Sequence, residues 1–365
     1  MIKLCFYVIL IFLYYLISIY IYIIFSYVKD KKKSRKLSGL NKTIGNVISY
    51  EIDNFKLGKE VNKEVVWKIK KLIKRKIYRQ YICEYLLYRK KYDRELIIDF
   101  IKHTKILDNI LNEKVKDEFD NAYKVRLIGE FKIEKYYKRL LEGCNNSSIY
   151  VQVNAIKALS NLGKLAYFMK GLKIIIHSST FIHSNVLIES ISKFKGNKAE
   201  LNKRLEKELS KDYSKLNEIV LSYFININYE NGKKSVYDVL QDNNTDKEIK
   251  ILCIKYFIKV IWDEVKEELL NLLSHEDWEI RALSAQALKN YDDKNVILKL
   301  RDSLKDINDY VRESSATALY CLTKDKEELV NIIYEDNIDA ANAMLNILSE
   351  KHGLMVKQDL FEKII

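Results

Sequence analysis

The chain has 365 residues, of which 48% are hydrophobic and 31% are charged, so most of it is expected to fold rather than remain disordered. Proline is absent and only 10 residues are glycine, which argues against collagen-like and turn-rich β-sandwich folds. The formal net charge is +13. All of this excess lies in residues 1–100, which hold 22 Lys/Arg and 9 Asp/Glu. The composition predicts an all-α protein with one basic end.

The amino-terminal segment carries the longest apolar run. Residues 4–28 read LCFYVILIFLYYLISIYIYIIFSYV, without a charge, and a helix of that length is longer than the roughly 20 residues that cross a bilayer. A cleaved signal peptide is the competing interpretation, but its apolar core would span only about 7–15 residues and end at a small-residue site. We therefore interpret residues 1–28 as a retained transmembrane anchor.

The charges that flank this anchor predict its orientation. Only Lys3 precedes the apolar run, whereas six of the eight residues in 29–36 are basic. Because cytoplasmic flanks of membrane helices are enriched in Lys and Arg, the body of the protein, on the carboxyl side, is predicted to be cytoplasmic. The chain is then a single-pass protein of the cell membrane.

Two basic segments follow the anchor. We assign residues 29–60 as a basic juxtamembrane linker and 61–115 as a basic helical neck, in which apolar residues interleave with lysines at helical spacing. Such a helix near an anchor favours contact with anionic lipid, and the predicted lipid-facing residues are Lys70, Lys71, Lys74 and Lys76. The alternative is a solvated face on an ordinary packed helix. Nucleic acid is disfavoured as the anionic partner, because the basic residues lie directly behind the anchor.

A repeat occupies residues 116–365. The segment 277–288 recurs as 308–319 at an offset of 31, 246–250 begins a related unit at the same offset, and 151–159 is a fourth copy. The last apolar residues of successive units are Ile128, Leu159, Phe194, Phe224, Phe257, Leu288, Leu319 and Leu348. This period, with an apolar helix before each copy, predicts helical pairs stacked as an α-solenoid.

The repeated x-V-R-x-x-A-x-x-A-L pattern resembles HEAT repeats, especially the short bacterial form related to the phycobilisome-lyase type. The order of anchor, basic neck and array is similar to bacterial membrane-anchored HEAT-repeat proteins. This resemblance implies a membrane-tethered scaffold that binds protein partners on the concave face of the array. It makes an envelope or polysaccharide-synthesis enzyme a candidate partner. A lyase-type enzyme that acts at the membrane surface is the alternative.

Several residues of the array are candidates for partner binding. Those on the second helices of the repeats are Gln152, Lys157, Gln286, Lys289, Glu313 and Thr317. Trp278, on a turn, is a candidate anchor because buried aromatic residues often dominate interface energies. Arg281 and Arg312 are expected to have a structural role, each paired with an acidic residue at a turn, Asp277 or Asp309.

The sequence offers little chemistry. The five cysteines are dispersed without a C-x-x-C, the five histidines lack metal-ligand spacing, and no glycine-rich phosphate loop or H-E-x-x-H occurs. Hence we predict no catalytic residue, no metal and no cofactor. Most of the cysteines are expected to fill small apolar spaces on helices.

Overall fold

A computed structural model describes residues 2–88, 91–209, 214–323, 329, 331–332 and 337–352. The prediction of an all-α fold is confirmed, since the described residues contain 20 α-helices and no strand. Contacts divide the chain into two compact units, residues 1–139 and 140–365. The repeat array was predicted to begin at residue 116, so the first compact unit includes residues 116–139 of the predicted array.

The first unit contains seven helices and the start of an eighth. Their bounds are α1 Ile2–Leu40, α2 Asn46–Lys56, α3 Lys63–Leu72, α4 Lys76–Tyr88, α5 Arg94–Thr104, α6 Asp108–Leu111, α7 Glu118–Glu130 and α8 Tyr137–Cys144. The division between the units falls within α8.

Helix α1 continues into α2 without a break. A five-residue π-helical segment, Asn41–Gly45, joins them, and both flanking residues have helical backbone angles, φ −64° and ψ −33° at Leu40 and φ −64° and ψ −40° at Asn46. The segment predicted as a linker, 29–60, is therefore helical as far as Lys56. We call this continuous helix, Ile2–Lys56, the rod. It ends shortly before Gly58, which adopts a left-handed φ of 70°, a conformation that glycine adopts without steric cost.

The two ends of this rod have opposite surroundings. In the span Ile11–Lys32 no residue is buried, although the segment is apolar. In α2, by contrast, Ile48 and Ile52 are almost fully buried, and the Ser49 carbonyl accepts a hydrogen bond from Tyr92 at 3.1 Å. The rod thus belongs to the core of the first unit only from about residue 45 onward, where apolar residues recur at helical spacing.

Twelve helices follow in the second unit. Their bounds are α9 Ile149–Leu162, α10 Leu165–Ile176, α11 Ser184–Ser192, α12 Lys198–Lys207, α13 Ser214–Ile227, α14 Lys233–Gln241, α15 Lys247–Lys259, α16 Lys266–Leu272, α17 Trp278–Leu288, α18 Lys294–Ser303, α19 Asp309–Leu322 and α20 Ile338–His352.

These helices form an α-solenoid of two rows. The odd-numbered helices α9 to α19, followed by α20, form a continuous row in which each helix contacts the next, while α10, α14, α16 and α18 flank it. Helix α12 is bound to this row through the hydrogen bond from Tyr223 of α13 to Asn202. All eight apolar residues that marked the repeat are buried. Small residues permit close packing within the row: Ala285 and Ala287 of α17, and Ala316 and Ala318 of α19, have no exposed surface.

Candidate protein-interaction surface

Ion pairs connect successive repeats at the start of the continuous-row helices. Lys247 of α15 reaches Asp277 at 2.7 Å and Glu279 at 2.5 Å, on the next repeat. Hydrogen bonding to these two carboxylates raises the pKa of Lys247, and the same bond lowers the pKa of Asp277. Both groups therefore stay charged at neutral pH, and the pairing holds two neighbouring helices in register.

The next step of this series corrects the predicted pairing of Arg281. Its guanidinium binds Asp306 of the following repeat through two bonds, of 2.7 and 2.8 Å, rather than Asp277 of its own turn. It also donates to the carbonyls of His275 and Glu276, both at 2.9 Å. Burial acts to raise the pKa of Asp306, but the bonds from Arg281 and from the Asn308 amide outweigh it and lower that pKa. Arg281 is thus a structural connection between repeats.

Arg312 has a similar position one repeat later. It binds Asp309 of its own turn, as predicted, and lies 3.8 Å from Asp339 of the following repeat. Its Nη1 group also donates to the carbonyl of Asp306 at 2.7 Å. The two arginines therefore share Asp306, and the structural role expected of them is confirmed by these contacts.

Aromatic residues lie on the same edge of the row. Trp278 of α17 stacks on Tyr310 of α19, with ring centroids 5.2 Å apart and an angle of 26° between the planes. Trp278 is 38% exposed, Tyr310 62% and the neighbouring Ile307 93%. Sequence reasoning singled out Trp278 but missed the other two. The available signal was an apolar residue, Ile307, placed between the polar residues of a turn.

A groove continues this edge toward the earlier repeats. It has a volume of about 710 Å³ and is lined by the starts of α11 and α15 and by one face of α13 from Lys215 to Asn226. Phe181, which is 75% exposed, forms one wall, and the Lys215 amine lies 5.4 Å from the centroid of its ring. Asp246 and Glu248 line the opposite part of the groove. A cation is therefore already seated on an aromatic ring at this surface.

The other candidate residues have different surroundings. Gln286 and Glu313 are exposed on α17 and α19, Lys289 is half-buried just after α17, and Thr317 bonds the Glu313 carbonyl of its own helix at 2.8 Å. Gln286 lies eight residues after Trp278, about 12 Å along the helix axis. The structure therefore places Trp278 at the edge of the row and Gln286 further along its face, as two separate places.

Two residues expected on the exposed face are engaged within the fold. Gln152 was predicted to be exposed, but it is only 1% exposed, because its amide oxygen accepts a 2.6 Å bond from Thr180 inside the array. Lys157 is partly exposed and forms an ion pair with Glu189 of the adjacent helix at 3.5 Å. Gln152 is therefore excluded from the candidate surface.

The predicted lipid-facing lysines lie on α3, on the turn after it and at the first residue of α4. Lys71, Lys74 and Lys76 are exposed and Lys70 is half-buried. Trp67 is 59% exposed, and the Lys71 amine lies 5.2 Å from its ring centroid. The opposite face of α3 is buried through Val66 and Ile69, so the helix is amphipathic with its cations turned outward.

Three buried thiols are unsuited to nucleophilic chemistry. Cys83, Cys144 and Cys253 are buried and unpaired, while Cys321 is exposed. Burial raises the pKa of Cys83 to about 11 and that of Cys144 to about 12, so these thiols remain protonated at neutral pH. In the part of the chain that the structure describes, no three His, Cys, Asp or Glu residues form a group able to hold a metal ion.

The chain was compared with known protein families, curated proteins and solved structures. Residues 236–320 match the family of HEAT repeats. This stretch contains α15 to α18 and most of α19, with the connections through Lys247, Arg281 and Arg312. No match was found among curated proteins. A crystal structure of an engineered protein is similar at 14% sequence identity, covering 79% of this chain and 88% of that chain, with a TM-score of 0.36.

Proposed function

We propose that this chain is a membrane-tethered, non-enzymatic scaffold whose HEAT-like array binds a protein partner at the cytoplasmic face of the membrane. The observation that carries the tether is the apolar span Ile11–Lys32, 22 residues of helix with no residue buried by the rest of the fold. A helix that a soluble core used would be covered. Exposure of this many apolar residues to water would be energetically unfavourable, whereas the hydrocarbon core of a bilayer would surround them.

The array supports the binding half of the proposal. A continuous row of helices connected by ion pairs presents one long edge that includes Trp278, Tyr310 and the groove at Phe181. Stacked repeats use such extended surfaces to bind other chains. The tether confines this surface to the inner leaflet and so increases its effective concentration for membrane partners. By family resemblance, an envelope or polysaccharide-synthesis enzyme is our candidate partner.

The tether and its orientation are tested together. A reporter active only in the cytoplasm, fused after Ile365, is expected to be active, because six basic residues lie within 29–36. The full chain is also expected to stay in the membrane pellet after alkaline extraction. A reporter active only outside the cytoplasm serves as the control. Activity of that second reporter would reverse the orientation, and release into the alkaline supernatant would contradict the tether.

We further propose that the exposed lysines of α3 and of the turn into α4 approach anionic lipid. The structure sets a condition on this contact. Ile48, which is buried in the core of the first unit, lies 16 residues after Lys32, about 24 Å along the helix. Electrostatic attraction falls off within a Debye length of about 8 Å. Contact therefore requires either a tilted rod or an orientation of the first unit that points α3 back toward the membrane.

Lysine labelling of the full chain in nanodiscs is the measurement. With anionic lipid, acetylation at Lys71, Lys74 and Lys76 is expected to slow several-fold relative to neutral lipid, and to recover at high salt, because each lysine near a charged leaflet gains about 1 kcal/mol. The exposed Lys299 and Lys305 of the array are matched controls and should label equally in both lipids. Equal labelling of all five lysines in both lipids would show that α3 has a solvated face.

A further inference from the structure

The turns at the start of α15, α17 and α19 combine acidic and aromatic residues. We call this surface the acidic–aromatic edge, and it consists of Asp246, Glu248, Glu276, Trp278, Ile307, Tyr310 and Glu313. Its members belong to three consecutive repeats, connected by the ion pairs of Lys247 and Arg281. The edge is therefore one continuous surface within the second unit.

Its apolar part is too exposed and too concentrated to be incidental. Ile307 and Tyr310 are 93% and 62% exposed, and Tyr310 covers one side of the Trp278 ring, which remains 38% exposed. Single apolar residues on a surface need no explanation, but a contiguous group that spans two repeats is typical of an interaction site. The stack also holds both rings in place, so a partner would lose little entropy in ordering them.

The charged part of the edge is negative. Segments 242–250, 274–281 and 305–313 carry nine carboxylates and five basic residues. Three of those basic residues are bound to carboxylates: Lys247 and Arg281 to carboxylates of neighbouring turns, and Arg312 to Asp309 of its own turn. Asp246, Glu248, Glu276 and Glu313, by contrast, have side chains that form no ion pair or hydrogen bond with any residue the structure describes. These four carboxylates remain available to a cation.

We infer that the acidic–aromatic edge binds a Lys/Arg-rich juxtamembrane segment of another membrane protein. Carboxylates attract its cations, and the faces of Trp278 and Tyr310 suit a guanidinium or ammonium group. The chemistry of the partner follows from location, because cytoplasmic flanks of membrane helices are enriched in Lys and Arg. This inference rests on the proposed tether, which places the edge where such segments occur.

The test uses the full chain in nanodiscs of neutral lipid, so that a basic probe does not bind the bilayer. The probe is a fluorescent peptide with the sequence KDKKKSRKLS, which corresponds to residues 29–38 of this chain. It is a Lys/Arg-rich segment of the kind that the inference requires. Anisotropy is expected to show binding that weakens as salt rises. The variant with Glu248→Gln, Glu276→Gln and Glu313→Gln should bind about tenfold more weakly, since each exposed ion pair contributes a few-fold.

A second variant isolates the aromatic contribution. Trp278→Ala with Tyr310→Ala is expected to reduce affinity by about tenfold, as for interface residues at the centre of a contact. The charge-matched control replaces exposed carboxylates of the flanking helices and their turns, with Glu264→Gln, Glu267→Gln and Asp302→Asn. It should leave affinity unchanged within about twofold. Equal circular dichroism melting curves would establish that all three variants fold.

The outcomes separate this inference from the proposed function. Absence of binding, or equal weakening in the edge variant and its control, would overturn the acidic–aromatic edge as a cation-binding surface. If the aromatic variant binds as well as the parent chain, the rings have no part in it and the inference is likewise overturned. Release of the chain from membranes in alkaline extraction, with peptide binding intact, would instead overturn the tether and leave the edge standing.

Discussion

Replacing Ala285 by aspartate is expected to lower the free energy of unfolding of the region around α17 by about 4 kcal/mol. Ala285 has no exposed surface, and α17 lies between α15 and α19 in the continuous row. An aspartate there would bring a charge and added volume into a close helix contact that has no room for either. Because each repeat contacts only its neighbours, the damage should be local.

Hydrogen exchange measured by mass spectrometry can resolve that locality. Amides of α15, α17 and α19 should exchange much faster in Ala285→Asp, while amides of α9 keep their protection. Gln286→Asp is the matched control, since it places the same charge on the next, exposed residue of the same helix. It should change stability by less than about 0.5 kcal/mol. Unaltered exchange in Ala285→Asp would show that the packing faces of the repeat are wrongly assigned.

Asp120→Asn is expected to destabilise the first unit by about 3–5 kcal/mol, because it removes the counter-charge of a buried lysine. Lys124 has no exposed surface, and its amine donates to Asp120 at 2.7 Å and to two backbone carbonyls at 3.1 and 3.2 Å. Arg79 lies 3.8 Å from the same carboxylate. Without Asp120, the lysine would remain buried as an unpaired charge.

Urea unfolding of the first unit, followed by hydrogen exchange of α4 and α7, measures this loss. Glu64→Gln removes one partner of an exposed ion pair, Lys68–Glu64 at 2.6 Å, and is expected to have little effect. Combining Asp120→Asn with Lys124→Met should recover most of the stability, because no buried charge remains. No recovery in the double variant would mean that the lysine charge is not the cause.

Acid should act on the same pair. Burial favours the neutral form of Asp120, but the bonds from Lys124 and from the Lys116 amide outweigh it, so the pKa of Asp120 is lowered. A carboxyl whose pKa is lower in the folded state stabilises the fold above its unfolded pKa of about 4, and this contribution disappears as pH falls through the folded value. The parent chain should therefore lose stability below about pH 4 more steeply than Asp120→Asn.

Periodicity alone was enough to predict the array. An offset of 31 located the helices, and the eight marked apolar residues are buried, because a repeat that stacks must bury the same positions each time. The acidic partner of Arg281 could not be predicted from the period of the repeat. Asp277 and Asp306 each lie near a turn that the arginine can reach, and only the packing of successive repeats decides that it binds Asp306.

The sequence also did not predict which polar residues are buried. Gln152 was expected to be exposed on the second helix of its repeat, yet the bond from Thr180 satisfies its amide oxygen inside the array. Thr180 is 28 residues away in sequence, and no local pattern reports such a partner. The exposed Ile307 was missed for the converse reason, since burial is the ordinary expectation for isoleucine.

The uninterrupted rod from Ile2 to Lys56 fixes an angle as well as a length. Each helical residue turns the chain by about 100°, so the residues between Lys32 and Ile48 determine which side of the first unit is aligned with a given face of the apolar span. One inserted residue would rotate the first unit by more than a quarter turn about the helix axis. Seven inserted residues would return it almost to its original orientation. The continuous helix thus fixes the rotation of the first unit, about the helix axis, relative to the apolar span.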